Sequence, residues 1–322
     1  MSKLIVIGEA LIDFVPDEKG LELKSVGGFK RVAGGAVANV AGACARFDQK
    51  SVLLTKVAND AFGEYLVDCF IENNIDISNV VYTSDYDTSL AFVSLKEDGN
   101  RDFKFYRRTA ADLQFSEDDV KDDICQPNDI VHFCSVDLVD SPMKMAHKKL
   151  IKQAIDHSSF VCFDPNLRFS LWDDLDKLKS TVNEFMTFAD IIKISDEELS
   201  FITGYEKVEE ALDHIFKDRC KLFIYTKGKD GASLYTKDGR VFEVAGNKVD
   251  VVDTTGAGDS FIGAFIACLL NDNVTDLNNI ADDKLSHYLD VANKYAACTT
   301  CRQGALGAMA TMDEFEEFCK EL

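Results

Sequence analysis

The chain has 322 residues, 46% hydrophobic and 28% charged with only 4 prolines, which is enough apolar content for a sizeable core and excludes a wholly disordered polypeptide. Its 35 basic residues stand against 56 acidic ones, and the resulting formal charge of −21 repels phosphate backbones and anionic lipid, so nucleic-acid and membrane-surface roles start low. Leu4-Ile5-Val6-Ile7 is too short for a secretory core and no other run approaches the ~20 apolar residues of a membrane helix, so the chain is expected to be soluble and cytosolic.

Residues 3–8 read as a first buried strand. Gly8-Glu9-Ala10-Leu11-Ile12-Asp13 follows, which puts Asp13 at that strand's carboxyl end, where open α/β sheets bind ligands. Leu21, Leu23 and Val26 then alternate, as in a strand, before Gly27 and Gly28. Ala33-Gly34-Gly35-Ala36-Val37-Ala38-Asn39 places small residues ahead of a helix predicted over 36–47. Gly34 and Gly35 permit close backbone approach to a ligand, and Asn39 offers hydroxyls a donor and an acceptor. A tight strand-to-helix turn with a buried Asn explains those residues equally well. A strand over 51–57 and a helix over 61–73 come next. Thr88 to Arg107 alternates apolar and polar residues on either side of a hairpin turn, Glu97-Asp98-Gly99-Asn100, with Phe103 and Phe105 on one face. Together with 21–26, this segment is expected to form a small antiparallel sheet projecting from the body as a lid, a dimer surface or both.

Strands over 129–135, 159–163, 190–194 and 221–226 alternate with helices over 141–157, 196–203 and 257–271, the pattern of a parallel sheet covered on both faces. Cys134 and Cys162 sit in apolar runs as small buried hydrophobes, and Cys298-x-x-Cys301 lacks the second pair that a zinc site needs. Asp164-Pro165-Asn166-Leu167-Arg168 closes a strand, so a fixed guanidinium there can neutralise a phosphate in transfer. The most informative segment is Val251-Val252-Asp253-Thr254-Thr255-Gly256-Ala257-Gly258-Asp259-Ser260-Phe261. Its small residues before an apolar helix leave the first N–H groups open, which makes an anion hole, and Asp259 stands beside it as a candidate base. Met312 to Leu322 reads as an amphipathic, acidic closing helix. No linker rich in Pro, Gly or Ser divides the chain. A P-loop kinase is disfavoured by the lack of Gly-x-x-x-x-Gly-Lys-Ser/Thr, and a nicotinamide dehydrogenase by the lack of Gly-x-Gly-x-x-Gly after the first strand.

The run Asp253-Thr-Thr-Gly-Ala-Gly-Asp259-Ser-Phe-Ile-Gly263-Ala264 resembles the C-terminal signature of PfkB-type (ribokinase-like) sugar kinases, and Gly34-Gly-Ala-x-Ala-Asn39 resembles the N-terminal one. The Gly8-to-Asp13 opening, Phe105-Tyr106-Arg107 and Asp164-to-Arg168 are similar to the fructokinase branch. The resemblance implies a ribokinase-like three-layer α/β/α domain over 1–322, with a mainly parallel sheet and a small antiparallel β lid inserted at about 14–33 and 88–111. It implies ATP-dependent phosphorylation of a sugar primary hydroxyl, foremost D-fructose to fructose 6-phosphate. Ribose, 2-keto-3-deoxygluconate and nucleoside kinases, and a catalytically silent sugar sensor, stay open. On the matching positions, Asp259 is the expected base, Gly256, Ala257 and Gly258 its anion hole, and Arg168 an arginine near sugar and phosphate. Asp13, Gly34, Gly35, Asn39 and Arg107 match sugar contacts. Thr226, Lys227, Gly228 and Gly231 match a nucleotide loop, and Asn293 an adenine contact. Glu198 matches a residue linked to Mg2+, while Asp253, Thr255 and the 299-to-Gly304 loop match a monovalent-cation site for K+. A homodimer through the lid is likewise implied. The chain departs from the family pattern at Ser195, where many relatives carry Asn, at Phe47-Asp48, Thr55 and Ala58, and at Cys298 and Cys301.

Overall fold

The computed structural model describes residues 2–18, 20–95 and 101–322. The Glu97-to-Asn100 turn and the Phe103 side chain lie outside what it describes. Strand β1 (Leu4–Ile7) sends Leu4 and Val6 to one side and Ile5 and Ile7 to the other, all fully buried. A strand covered on both faces must be apolar at every position, which is why this run lacks polar alternation. The lid strands β2 (Leu11–Pro16) and β3 (Phe29–Gly34) follow, then α1 (Ala36–Arg46), β4 (Ser51–Ala58), α2 (Ala61–Glu72) and β5 (Asp76–Thr83). Two more lid strands, β6 (Ser89–Leu95) and β7 (Arg101–Tyr106), lead to β8 (Ile130–Cys134), α3 (Pro142–Asp156), β9 (Phe160–Asp164) and α4 (Leu175–Met186). The remaining elements are β10 (Ile191–Ser195), α5 (Asp196–Thr203), α6 (Val208–Ile215), β11 (Leu222–Thr226), β12 (Ala232–Thr236), β13 (Val241–Val244), α7 (Ala257–Asn271), α8 (Asp282–Thr300) and α9 (Met312–Glu321).

The main sheet runs β5-β4-β1-β8-β9-β10-β11 in parallel, and the antiparallel strands β12 and β13 extend it. Helices α1, α2, α7, α8 and α9 pack on one face and α3 to α6 on the other, which completes the three-layer, ribokinase-like architecture. The chain winds outward from β1 through β4 and β5, then returns to build β8 to β11 on the other side of β1. The crevice at the carboxyl ends of β1 and β8 is therefore a topological switch point, the place where such sheets bind ligands.

The lid is a second sheet ordered β3-β2-β6-β7, two antiparallel hairpins joined by a parallel β2–β6 pair. Its first hairpin pairs Pro16 with Phe29, which corrects the strand expected around Leu21, Leu23 and Val26. Those residues belong to the connecting loop, with one short 3-10 turn at Leu23–Ser25 that lies against β6 without joining the sheet as a strand. Asp13 is likewise a mid-strand lid residue opposite Val32 and Ala91, displaced from the expected end of β1. The pleat turns Phe14 the opposite way from Asp13. Phe14 stacks on Phe92 at 4.8 Å and meets Phe62 of α2 edge-on at 5.8 Å, which anchors the lid's far face to the body. Among the described residues no helix is long and apolar enough to cross a membrane.

Candidate active site

The parallel strands deliver mostly polar residues to one rim. Glu9 follows β1, Val136 and Asp137 follow β8, Asp164 ends β9, Lys193 and Ser195 end β10, and Thr226 ends β11. The amino ends of α1 and α7 and the lid close over them, leaving two adjoining cavities of about 470 and 420 Å³. Asp164, Asn166, Arg168, Lys193, Glu197, Thr254 and Gly258 line both, so one wall that carries two cations and two carboxylates serves two chambers.

The first chamber, under the lid, gathers Asp13 and Phe105 with Glu9, Gly35, Asn39, Gly256 and Asp259. Gly35 caps α1 with φ 124°, and a Cβ there would stand 2.4 Å from the Glu9 carbonyl oxygen, so only glycine fits between the two turns. Gly34 lies outside the chamber wall. A Cβ on it would meet the Asp13 carboxylate at 2.4 Å, so its bare backbone makes room for that carboxylate across the β2–β3 hairpin.

Asp259 lies in the first turn of α7 and is 8% exposed. Asn39 donates to its Oδ2 at 2.8 Å and Asn166 to its Oδ1 at 3.4 Å. Burial pushes its pKa above the ordinary aspartate value, restrained by the Asn39 hydrogen bond and the charges of Arg168 and Lys193. Helix α7 starts after Gly256, at φ 76°, with no side-chain cap. The Ala257 N–H turns to the Thr254 carbonyl at 3.3 Å, which leaves Gly258 and Asp259 as the first-turn donors with no intrahelical acceptor. Lys193 sits beneath this tip, its Nζ 3.4 Å from where a Cβ on Gly258 would lie. It donates to Asp164 at 2.7 Å in a fully buried pair. Burial opposes its charge, but Asp164, Glu198 and Asp259 outweigh that and hold its pKa above the ordinary lysine value.

The second chamber brings together Thr226, Gly228, Gly231 and Asn293 with Ala257 and Glu198. Asn293 donates to the Ala245 carbonyl at 2.8 Å. Lys227 is not part of the wall: its ammonium reaches Ser233 at 3.0 Å and Glu243 at 3.6 Å instead. Glu198 accepts from the Leu167 N–H at 2.7 Å and closes a capping box with Ser195, so the serine at this departure from the family pattern starts α5. Asp253 accepts from the Thr255 N–H and hydroxyl at 2.9 and 2.7 Å and from the Gly304 N–H at 3.1 Å. The three residues expected to form a cation site therefore meet beside the turn that starts α7. Arg107 does not reach the chamber surface. It is buried at the lid's root, donating to Asp112 at 2.6 Å, to Asp137, and to Ser89 Oγ at 3.3 Å.

Sequence reasoning missed Lys193, Asn166 and Glu9. The signal for Lys193 was its lone charge in Ile191-Ile192-Lys193-Ile194: period-two alternation sends it to the α7 face with Ile191. Asn166 adopts φ 46°, in the left-handed region that asparagine tolerates best after glycine.

An open α/β sheet with two adjoining chambers, a helix tip between them and a shared wall of two cations and two carboxylates is the framework of an enzyme that brings two substrates together. Residues 1–312 match the model of the pfkB family of carbohydrate kinases, and the chain belongs to that family. It is 38% identical to probable fructokinase-5 of Arabidopsis thaliana over 98% of this chain and 97% of that protein. Among solved structures it is similar to a fructokinase double mutant from Vibrio cholerae O395 with fructose, ADP and potassium ion bound, with TM-score 0.88, 30% identity and coverage of 99% of this chain and 98% of that one. A fructokinase from Xylella fastidiosa with bound ATP matches with TM-score 0.88 and 30% identity, covering 100% of this chain and 99% of that one.

Proposed function

We propose that this kinase transfers the γ-phosphoryl group of ATP to the 6-hydroxyl of D-fructose, giving fructose 6-phosphate and ADP. The observation that carries the reading is Asp259, a buried carboxylate in the wall of the first chamber, oriented by two amides and next to Gly258, which lines both chambers. Asp13 and the Asn39 carbonyl hold sugar hydroxyls in the first chamber. Thr226, Gly228, Gly231 and Asn293 hold the nucleotide in the second, with Lys227 kept to the far side of that loop. Asp259 removes the proton from the 6-hydroxyl as its oxygen attacks phosphorus, and the bond from the γ-phosphorus to the bridging oxygen breaks with ADP as the leaving group. A carboxylate whose pKa is raised by burial is a better proton acceptor than an exposed one. The Gly258 and Asp259 N–H groups, Lys193 and Arg168 stabilise charge on the moving phosphoryl oxygens. The lid keeps water from competing with the sugar. Arg107 acts from behind the wall, through Asp137 and Asp112 at the lid's root.

Magnesium fits the nucleotide chamber. Glu197, Glu198 and Asp164 line it, and among the described residues no dedicated cluster of metal-binding side chains competes, which suits an ion held mainly by phosphates and water. Bound there, it neutralises phosphate charge. Asp253, Thr255 and Gly304 fit K+, whose charge would steady the Gly256 turn. Two copies pair through the lid, whose strand β7 is an edge and ends at Tyr106, 59% exposed. The ten cysteines are all unpaired, which supports a reducing, cytoplasmic setting.

An ADP-release assay across fructose, ribose, 2-keto-3-deoxygluconate and adenosine tests the assignment. Fructose should give the highest kcat/KM. A sugar-induced thermal shift with no turnover on any of the four would favour a silent sensor instead.

A further inference from the structure

Three carboxyls crowd one guanidinium behind the sugar chamber. Glu9, Asp112 and Asp137 are each at most 3% exposed, and Arg107 is their buried counter-charge. Arg107 donates to Asp112 and Asp137 and not to Glu9. Asp137 Oδ2 is buried and has no hydrogen-bond partner among the described residues. With every carboxyl ionised the cluster would hold two uncompensated negative charges away from water, so one of them keeps its proton. The free Glu9 is the one without a guanidinium bond. Its Oε1 accepts from the Ala36 N–H at 2.6 Å, the first residue of α1. One turn further on, Asn39 holds the Asp259 carboxylate.

We propose that Glu9 is a positioning residue: as an uncharged acid it ties the amino end of α1 to the end of β1, and so fixes Asn39 and, through it, the catalytic carboxylate Asp259. The inference rests on the sugar-kinase reading above for its catalytic consequence, but not for the protonation itself. Glu9 faces Asp137 and Cys134 from β8 and the turn after it, Arg107 from the lid's root and the Ala36 N–H from α1, while Asp13 and Asp259 stand across the chamber. Burial first, and Asp137 second, push the Glu9 pKa up to about 8, with Arg107 and the Ala36 bond acting against them. A carboxyl raised in this way stabilises the fold fully below the unfolded value of 4.5, and that contribution is lost as pH rises through about 8.

Glu9→Gln keeps the acceptor oxygen and never ionises, whereas Glu9→Ala removes the tie. E9A should lose about tenfold to a hundredfold in kcat, with a smaller change in sugar KM, because a small displacement of a reacting group is costly. E9Q should recover most of that loss, and the decline in kcat/KM expected of the wild type above about pH 8 should be absent from it. In melting experiments E9Q should gain on the wild type between pH 4.5 and 8 and hold a constant margin above that range. An E9A enzyme with wild-type kcat, an E9Q enzyme as impaired as E9A, or identical pH profiles for E9Q and wild type would each overturn the proposal. Should E9A fail to fold, the E9Q and wild-type profiles decide alone. A wild type that phosphorylates no sugar would refute the kinase reading, while the melting comparison would still report on the Glu9 proton.

Discussion

Two amides donate to opposite oxygens of Asp259, and an asparagine there keeps the shape and one of the two acceptor oxygens, so the shorter bond from Asn39 can be retained. Asp259→Asn should therefore still bind fructose and ATP in calorimetry while kcat falls about 10²–10⁴-fold, the usual cost of losing a general base. Near-normal turnover would remove Asp259 from the mechanism. Lys193 behaves differently, because its partner stays buried when it is gone. Lys193→Met strands the Asp164 carboxylate, which is 1% exposed, and should cost about 3–5 kcal/mol in denaturant unfolding as well as most of the activity. A variant with unchanged stability would show that the pair carries no structural weight.

At the scale of elements, the site depends on where helices begin. Ser195 and Glu198 cap α5 reciprocally, so Ser195→Ala should lower stability by about 1 kcal/mol, read as a shifted denaturation midpoint with an unchanged slope. Ser195→Asn keeps a capping side chain and should cost less. Gly35→Ala forces a Cβ onto the Glu9 carbonyl and should displace the start of α1, lowering both stability and kcat. Helix starts were also the most legible part of the sequence, since the small residues at 34–36 and 256–258 have few other uses. The buried strands were legible for a similar reason: Leu4 to Ile7 is apolar throughout because both its faces are covered. The lid was harder to read. Leu21 and Leu23 alternate as a strand does, yet strand pairing is a long-range property, and the partner of Phe29 turned out to be Pro16. Lys193 and Glu9 escaped notice because a single charge among apolar residues reveals its role only when the element facing it is known.

For the molecule as a whole, the charge of −21 coexists with a phosphate-handling site because Arg168, Lys193 and the α7 tip act within a few ångströms, out of reach of the distant surface carboxylates. The protein should therefore pass through a heparin column unretained at low salt while still binding ATP. Light scattering should give twice the chain mass if the lids pair, and a monomeric mass at working concentration would exclude that arrangement. The wall common to both chambers has one more consequence. A single inhibitor joining adenosine to a hexose through a polyphosphate tether would occupy both compartments at once, and its second half would bind at the high effective concentration set by the first. Its affinity should exceed that of either fragment by orders of magnitude, and the optimal number of bridging phosphorus atoms would measure, in solution, how far apart donor and acceptor are held.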